Sequence, residues 1–218
     1  MTAMSILYSR SDCPHCARAR LALLRCEVPC ELRELAPSVL PAGVQAVPSL
    51  WLADGARLED SLAILHWAAA RRPELQLWPD IRVRQQSIEN LVRIIDGPFA
   101  QASASYQRMP QPGRADRRDY RAEAEIFLAQ LEARLARMPY LVGDRETLAD
   151  LAILPFIQCF ADVDRTWFDI SPYRRLRAWL AGYRDDPQWR RAQWQAPLWQ
   201  QDAPPTSLLD GDSRRASA

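Results

Sequence analysis

Apolar positions change their spacing about a third of the way along the chain. Up to about residue 75, short apolar runs alternate with helical patterns. Ile6-Leu7-Tyr8 reads as a strand that ends at the polar Ser9-Arg10-Ser11-Asp12. Pro14 to about Cys26 reads as a helix, with Leu21 and Leu24 on one apolar face and arginines on the other. Pro14 suits a first helical turn, where a missing N–H costs nothing. Glu31 to Leu35 is a weaker second strand and Ser49 to Leu52 a third; Ala53-Asp54-Gly55-Ala56 then turns the chain into a fourth around Arg57-Leu58. Another helix opens at Ser61, carries Leu62, Leu65 and Ala69, and must stop before Pro73.

From about Asp80 the period is helical throughout. Ile81, Ile88, Leu91, Val92, Ile95 and Phe99 recur at i, i+3, i+4, i+7 spacing, and Pro110-Gln111-Pro112-Gly113 breaks the run. A second long helix carries Ile126, Leu128, Leu131 and Leu135. A third, from about Thr147, is apolar nearly all round and should lie at the centre of a bundle. A fourth runs from Pro172 through Leu176, Trp179, Leu180 and Tyr183. The expected organisation is a small α/β domain at 1–74, a linker at 75–80, an all-helical domain at 81–200 and a flexible tail at 201–218.

Composition narrows the possible partners. The formal net charge is +1, and all 28 basic residues are arginine, offset by 27 acids. No basic stripe points to nucleic acid or to a membrane surface. Neither a signal peptide nor an 18-residue apolar span is visible, so the cytoplasm is the expected compartment. There, a close cysteine pair is more often catalytic or metal-binding than structural.

Cys13-Pro14-His15-Cys16 falls where a strand ends and a helix begins. Unpaired N–H groups and the partial positive charge of a helix start favour a thiolate over a thiol. Cys13 sits at the helix mouth and suits a nucleophile; Cys16, one turn in, suits a resolving thiol. Structural zinc needs about four ligands, and Cys26 and Cys30 complete such a set only with poor spacing, so no metal is expected. Cys26, Cys30 and Cys159 read as packing residues.

With this motif in place, the sequence resembles the glutathione transferase superfamily. Tyr8 to Pro14 followed by Ala17-Arg18-Ala19-Arg20-Leu21 looks like the first strand and helix of omega-type members, whose catalytic residue is a cysteine. Cys16 departs from them and is similar to dithiol glutaredoxins. Val47-Pro48-Ser49-Leu50 resembles the family's cis-proline segment, which implies backbone pairing of Val47 with the cysteinyl unit of glutathione; from the residues alone, Val47-Pro48 is equally an ordinary turn. Leu58-Glu59-Asp60-Ser61 resembles the Glu-Ser motif that holds the γ-glutamyl unit, with Asp60 in place of glutamate. Ser61 is a good helix cap, and the N–H groups after it form an anion site. Thr147-Leu148-Ala149-Asp150 resembles the family's helix-capping box, a structural feature. Glu146 stands where an apolar residue is expected, and the segment from Glu34 to Gly43 offers no basic residue for the glycine carboxylate.

The resemblance implies an N-terminal thioredoxin-like domain followed by a C-terminal helical bundle. The leading expectation is a glutathione-dependent thiol–disulfide oxidoreductase. Cys13 and Cys16 are its candidate catalytic residues, with Cys13, Val47, Pro48, Asp60 and Ser61 binding glutathione as cosubstrate. Conjugation of glutathione to an electrophile, with Tyr8, Ser9 or Ser11 as thiolate stabiliser, is one alternative; a non-enzymatic binding protein is the other. The family also implies a possible homodimer; Phe99, Tyr106 and Met109 could line a second-substrate cleft, but helical aromatics and methionines are more often core, and they are left out of the site.

Overall fold

A computed structural model describes residues 4–108 and 117–209. The chain divides into two compact units: Met1–Leu75 together with Asp185–Ala218, and Gln76–Arg184.

The first unit is built on a mixed four-stranded sheet, β1 (Ser5–Ser9), β2 (Cys30–Glu34), β3 (Ser49–Trp51) and β4 (Arg57–Leu58), in the order β2-β1-β3-β4. β1 runs parallel to β2 and antiparallel to β3, which turns back into β4. The parallel pair requires a crossover, supplied by α1 (Pro14–Arg25). α1 packs against α2 (Ser61–Ala69), and Leu7, Leu21, Leu23, Leu50, Ile64 and Leu65 are buried between helices and sheet. Tyr8, Leu35, Val44, Trp51 and Trp199 form a second apolar cluster.

Two sequence expectations change here. Arg18 and Arg20, assigned to a polar face of α1, are both 0% exposed. α1 is enclosed on nearly every side, because α2 and α9 (Pro187–Ala192) both pack on it. The end of the chain also belongs to this unit rather than to a helical domain reaching residue 200. Asp186 caps α9 and pairs with Arg25 at 2.5 Å. Beyond α9, Trp199 N–H donates to the Glu34 carbonyl, Leu32 N–H to the Thr206 carbonyl and Leu208 N–H to the Cys30 carbonyl. The stretch drawn as a flexible tail is therefore laid along β2 as far as Leu208, which is fully buried; residues 210–218 lie outside the described residues. β2 is an edge strand with unpaired backbone groups, and this segment satisfies them.

The second unit is helical. α3 (Arg82–Ile94) continues through a π-helical turn, Ile95–Phe99, into α4 (Ala100–Gln107). Pro98 lies inside that turn, where its missing N–H breaks the regular hydrogen-bond ladder. α5 (Arg117–Leu135), α6 (Leu148–Val163), α7 (Arg165–Ile170) and α8 (Arg174–Tyr183) complete it, with α6 packed against α3, α4, α7 and α8. Phe99 and Tyr106 are core residues, and both rings pack on Phe160. Met109 lies outside the described residues. Ile126 is 67% exposed, because the buried stripe of α5 is Ala124, Phe127, Leu128, Leu131 and Leu135. Two residues from both Ala124 and Leu128, Ile126 falls on the opposite side of the helix.

Thr147 and Asp150 cap α6 reciprocally. The Asp150 carboxylate accepts from the N–H groups of Thr147 (2.9 Å) and Leu141 (3.0 Å), from the Thr147 hydroxyl (3.1 Å) and from the Trp179 indole (3.2 Å). One side chain thus ties the start of α6 to the preceding loop and to α8. Asp150→Ala orphans four buried donors, and an unsatisfied buried donor costs about 1–3 kcal/mol. With partial relaxation the expected loss of unfolding free energy is about 3–4 kcal/mol, measured by urea denaturation; a loss under about 1 kcal/mol contradicts this role.

Candidate active site

Cys13 occupies the N-cap of α1, with extended backbone angles (φ −114°, ψ 117°) and Pro14 at the first helical position. Its carbonyl accepts from Ala17 N–H at 3.0 Å, and its sulfur accepts from Cys16 N–H at 3.4 Å. Cys13 is half-buried and Cys16 is fully buried. The Cys16 thiol, donating to the Cys13 sulfur, is the largest influence on its ionisation. Burial opposes it, but the N–H groups of Cys16 and His15 and the charge of Arg10 add to it, and Cys13 is pulled down to about 6. Cys16 moves the other way: burial first, then its bond to Cys13 and the charge there, push it well above the ordinary thiol range. One cysteine is thereby held as thiolate and the other as thiol. The helix mouth invoked from sequence contributes through its amides, but less than the neighbouring thiol.

The loop from Ser9 to Cys13 is held from below by buried charge. Glu34, at the end of β2, accepts from Ser11 N–H at 2.6 Å and pairs with the guanidinium of Arg20. Arg20 also donates to the Ser9 hydroxyl (2.7 Å) and to the Trp194 carbonyl (2.8 Å). An unpaired buried charge would be costly; here both partners have further hydrogen bonds. Arg10, between the two anchored serines, is kept near the Cys13 sulfur.

The other predicted residues fall in the same unit. The Val47–Pro48 peptide is cis. Tyr8 pairs with Ser49, so the antiparallel register, continued one step, sets Pro48 beside Ser9, at the end of β1 where the Cys13 loop begins. Val47 packs against the Tyr8 cluster. Asp60, not Ser61, is the N-cap of α2: its Oδ1 accepts from the N–H groups of Leu62 (2.8 Å) and Ala63 (2.9 Å). The anion site expected after Ser61 is therefore filled by the chain's own carboxylate. A β-region aspartate outcompetes the residue after it because its oxygen reaches the second and third amides. Ser61 begins the helix and is nearly buried; its hydroxyl oxygen accepts from Arg18 Nη1 at 3.1 Å and lies 3.5 Å from His15 Nδ1. Arg18, Arg20 and Glu34 were not singled out from sequence, although two arginines inside an otherwise apolar helix were a visible signal. Among the described residues no group of three or more His, Cys, Asp or Glu is placed to hold a metal ion, and no helix is long and apolar enough to cross a membrane.

Known proteins resemble the chain in both halves. The family model for the glutathione S-transferase N-terminal domain matches residues 7–76, and that for the glutathione S-transferase C-terminal domain matches residues 106–182. Glutathione S-transferase GstB of Escherichia coli K12 is 26% identical over 140 residues, spanning 62% of this chain and 66% of its own length. A glutathione transferase family member from Pseudomonas fluorescens Pf-5, solved with two glutathione bound, aligns with a TM-score of 0.77 at 19% identity, over 90% of this chain and 95% of that one. A glutathione transferase of Methylococcus capsulatus aligns at 0.73 with 22% identity, over 87% and 97% of the two chains. Ure2p in complex with glutathione aligns at 0.74 with 18% identity, over 88% and 99%. At these identities the structural likeness concerns the fold, a mixed-sheet thioredoxin-like unit with a helical one.

Ionisation of Cys13 has a direct readout. A thiolate is alkylated and a thiol is not, so the rate of reaction with iodoacetamide should rise with pH through a midpoint of about 6. Cys16→Ala removes the strongest donor to the sulfur and should raise that midpoint by about a unit or more. An unchanged midpoint in Cys16→Ala would show that the thiol pair is not coupled.

Proposed function

Because the chain belongs to the glutathione S-transferase superfamily, we propose that it is a glutathione-dependent thiol–disulfide oxidoreductase with Cys13 as nucleophile. The carrying observation is the cysteine pair at the start of α1: a half-exposed sulfur that accepts from the Cys16 amide at 3.4 Å beside the buried Cys16 thiol, and is lowered to about 6. The Cys13 thiolate attacks the glutathionyl sulfur of a mixed disulfide. The S–S bond breaks, the partner leaves as thiolate and takes a proton from water, and Cys13 is left joined to glutathione. A second glutathione thiolate attacks the glutathionyl sulfur, releasing glutathione disulfide and returning Cys13 as thiolate. Its low pKa makes Cys13 a good leaving group in that step. In a dithiol route the Cys16 thiol gives up its proton to the departing glutathione sulfur as it attacks Cys13 Sγ, so glutathione leaves as thiol and a Cys13–Cys16 disulfide closes that two further glutathiones reduce, forming glutathione disulfide. In this reading Val47 pairs through its backbone with the cysteinyl unit, the cis Pro48 shapes that wall, Asp60 meets the γ-glutamyl ammonium, and Ser61 meets the γ-glutamyl carboxylate.

The names of the relatives favour a second reading, transfer of glutathione to an electrophile. That reaction needs a hydroxyl to stabilise the glutathione thiolate. Tyr8 and Ser9 are buried, at 3% and 0% exposed, and accept from Arg33 (2.9 Å) and Arg20 (2.7 Å), which hold them inside the unit away from an incoming sulfur. Ser11 is left, with Cys13 closer to the helix mouth, and this ranks disulfide exchange first. The same reading carries a cytoplasmic location, where a glutathione pool keeps thiols reduced, and the homodimer that the family resemblance implies.

Glutathione-coupled reduction of hydroxyethyl disulfide should fall by about a hundredfold or more in Cys13→Ser, which lacks the nucleophile. Cys16→Ser should keep about a tenth or more of wild-type turnover, because glutathione itself completes the cycle. Undiminished turnover in Cys13→Ser, or conjugation of a halogenated arene outpacing disulfide reduction in the wild type, would reverse the assignment.

A further inference from the structure

The turn that carries the chain from β1 into α1 leans to one side of the sheet. Ser9 pairs with Glu34 on the β2 side, and Pro48 lies beside it on the β3 side. Glu34 holds the Ser11 N–H at 2.6 Å, so residues 10–12 hang over β2. The residues assigned to glutathione, Val47, Pro48, Asp60 and Ser61, come from the approach to β3 and from the start of α2. Cys13 thus stands between two walls, and Arg10 is the cation of the β2-side one. The backbone around Arg10 is tied down, since Arg20 holds the Ser9 hydroxyl and Glu34 the Ser11 amide. The Arg10 side chain itself is loosely paired. Its Nε is covered, lies 3.4 Å from Asp12 Oδ1 and makes no hydrogen bond. Its Nη1 and Nη2 groups have no acceptor among the described residues, and the side chain is 32% exposed, so these donors are open to a ligand. The Asp12 side chain is 63% exposed, and an ion pair so open to water is worth little. A second carboxylate displaces it at small cost.

With the glutathionyl unit against the β3-side wall, the other half of a mixed disulfide extends over the opposite side of Cys13, where Arg10 stands. Negative charge grows on the departing sulfur as the S–S bond breaks. A departing thiolate that also carries a carboxylate is a dianion, and a guanidinium stabilises it through its charge and its paired N–H donors. The charge of Arg10 already reaches the neighbouring Cys13 sulfur, where it favours the thiolate. Resting on the oxidoreductase reading above, we propose that Arg10 is a specificity-determining residue, which selects mixed disulfides of glutathione whose departing thiol carries a carboxylate. In the favoured step the Cys13 thiolate bonds to the glutathionyl sulfur, and the bond from that sulfur to the partner breaks with its electron pair. The partner leaves as a thiolate and takes a proton from water. Asp12 is the built-in competitor: it pairs with the guanidinium between turnovers and yields it to the arriving carboxylate.

The test uses the full chain with Cys16→Ser, so that each reaction stops at glutathionylated Cys13. The substrates are mixed disulfides of glutathione with mercaptopropionate (anionic), mercaptoethanol (neutral) and cysteamine (cationic). Rates of adduct formation, followed by mass spectrometry, are divided by the rate at which a free neutral thiol, N-acetylcysteine amide, attacks the same disulfide. That ratio removes intrinsic differences between the leaving groups. The anionic partner should be preferred over the neutral one by about fivefold, and less so as salt is raised. Arg10→Gln should bring the three normalised rates within about twofold of one another, Arg10→Lys should keep their order, and Asp12→Asn should widen the preference by about twofold or more. A general change in Cys13 reactivity scales all three rates alike, so a merely structural Arg10 would leave the ratios unmoved. Alkylation at the Cys13 peptide by iodoacetate relative to iodoacetamide gives a second readout that needs no glutathione; the ratio should fall in Arg10→Gln and rise in Asp12→Asn. Equal normalised rates in the Arg10-containing chain, or a preference that survives Arg10→Gln, would overturn the proposal and leave the oxidoreductase reading standing. If none of the three disulfides glutathionylates Cys13, the oxidoreductase reading falls and this proposal falls with it.

Discussion

Across one turn of α1, the Cys16 amide donates to the half-exposed Cys13 sulfur at 3.4 Å while the Cys16 thiol is buried beside it, and several elements of the first unit meet at this point. The donor must be fixed, so Cys16 lies in the packed interior between α1 and the sheet. The acceptor must meet solvent, so Cys13 stands just outside the helix with Pro14 setting the entry angle. Neither condition is met by a helix alone. The approach to Cys13 is a turn after β1, and it is anchored because Glu34 at the end of β2 holds the Ser11 amide while Arg20 of the same helix holds Glu34 and Ser9. Strand, turn and helix thus share one polar network at the point where the chain reverses.

Buried arginine is an unusual way to build a helix, since desolvating a guanidinium is expensive unless charges and acceptors surround it. α1 does so twice, two residues apart, and the two cations serve opposite walls. Arg20 faces the loop that leads to Cys13 and Arg18 faces the start of α2. Chains with an apolar α1 would fold as well by hydrophobic criteria. What the arginines add is orientation of nearby hydroxyls and amides, which an aliphatic side chain cannot provide.

The elements of the first unit were legible in the sequence because their signals are local: a strand ending in polar residues, a proline at a helix start, a hairpin turn, a proline beyond a helix end. The all-apolar α6 announced its central place for the same reason. What escaped were features set by distant partners. Arginines at positions 18 and 20 look solvent-facing until α2 and α9 are known to pack on the same helix. Between Asp60 and Ser61, sequence preference hardly separates the two as caps, and the backbone decided for the aspartate. The segment after Gln201 is polar and short of large side chains, so composition suggested a loose end. Its order comes instead from backbone pairing with β2, which has no compositional signature. Asp150 was recognised as a cap, but its bond to Trp179, 29 residues away, was not.

That pairing also fixes an order of events during synthesis. The N-terminal unit is assembled from both extremities of the chain, with the whole helical unit threaded between its pieces. While a ribosome is still making α3 to α8, the outer edge of β2 has no partner and Arg20 lacks the Trp194 carbonyl. Until residues 186 to 208 emerge, the nascent sheet is an open template that neighbouring chains on the same message can reach. The unit that carries Cys13 and Cys16 is therefore completed only after the helical one.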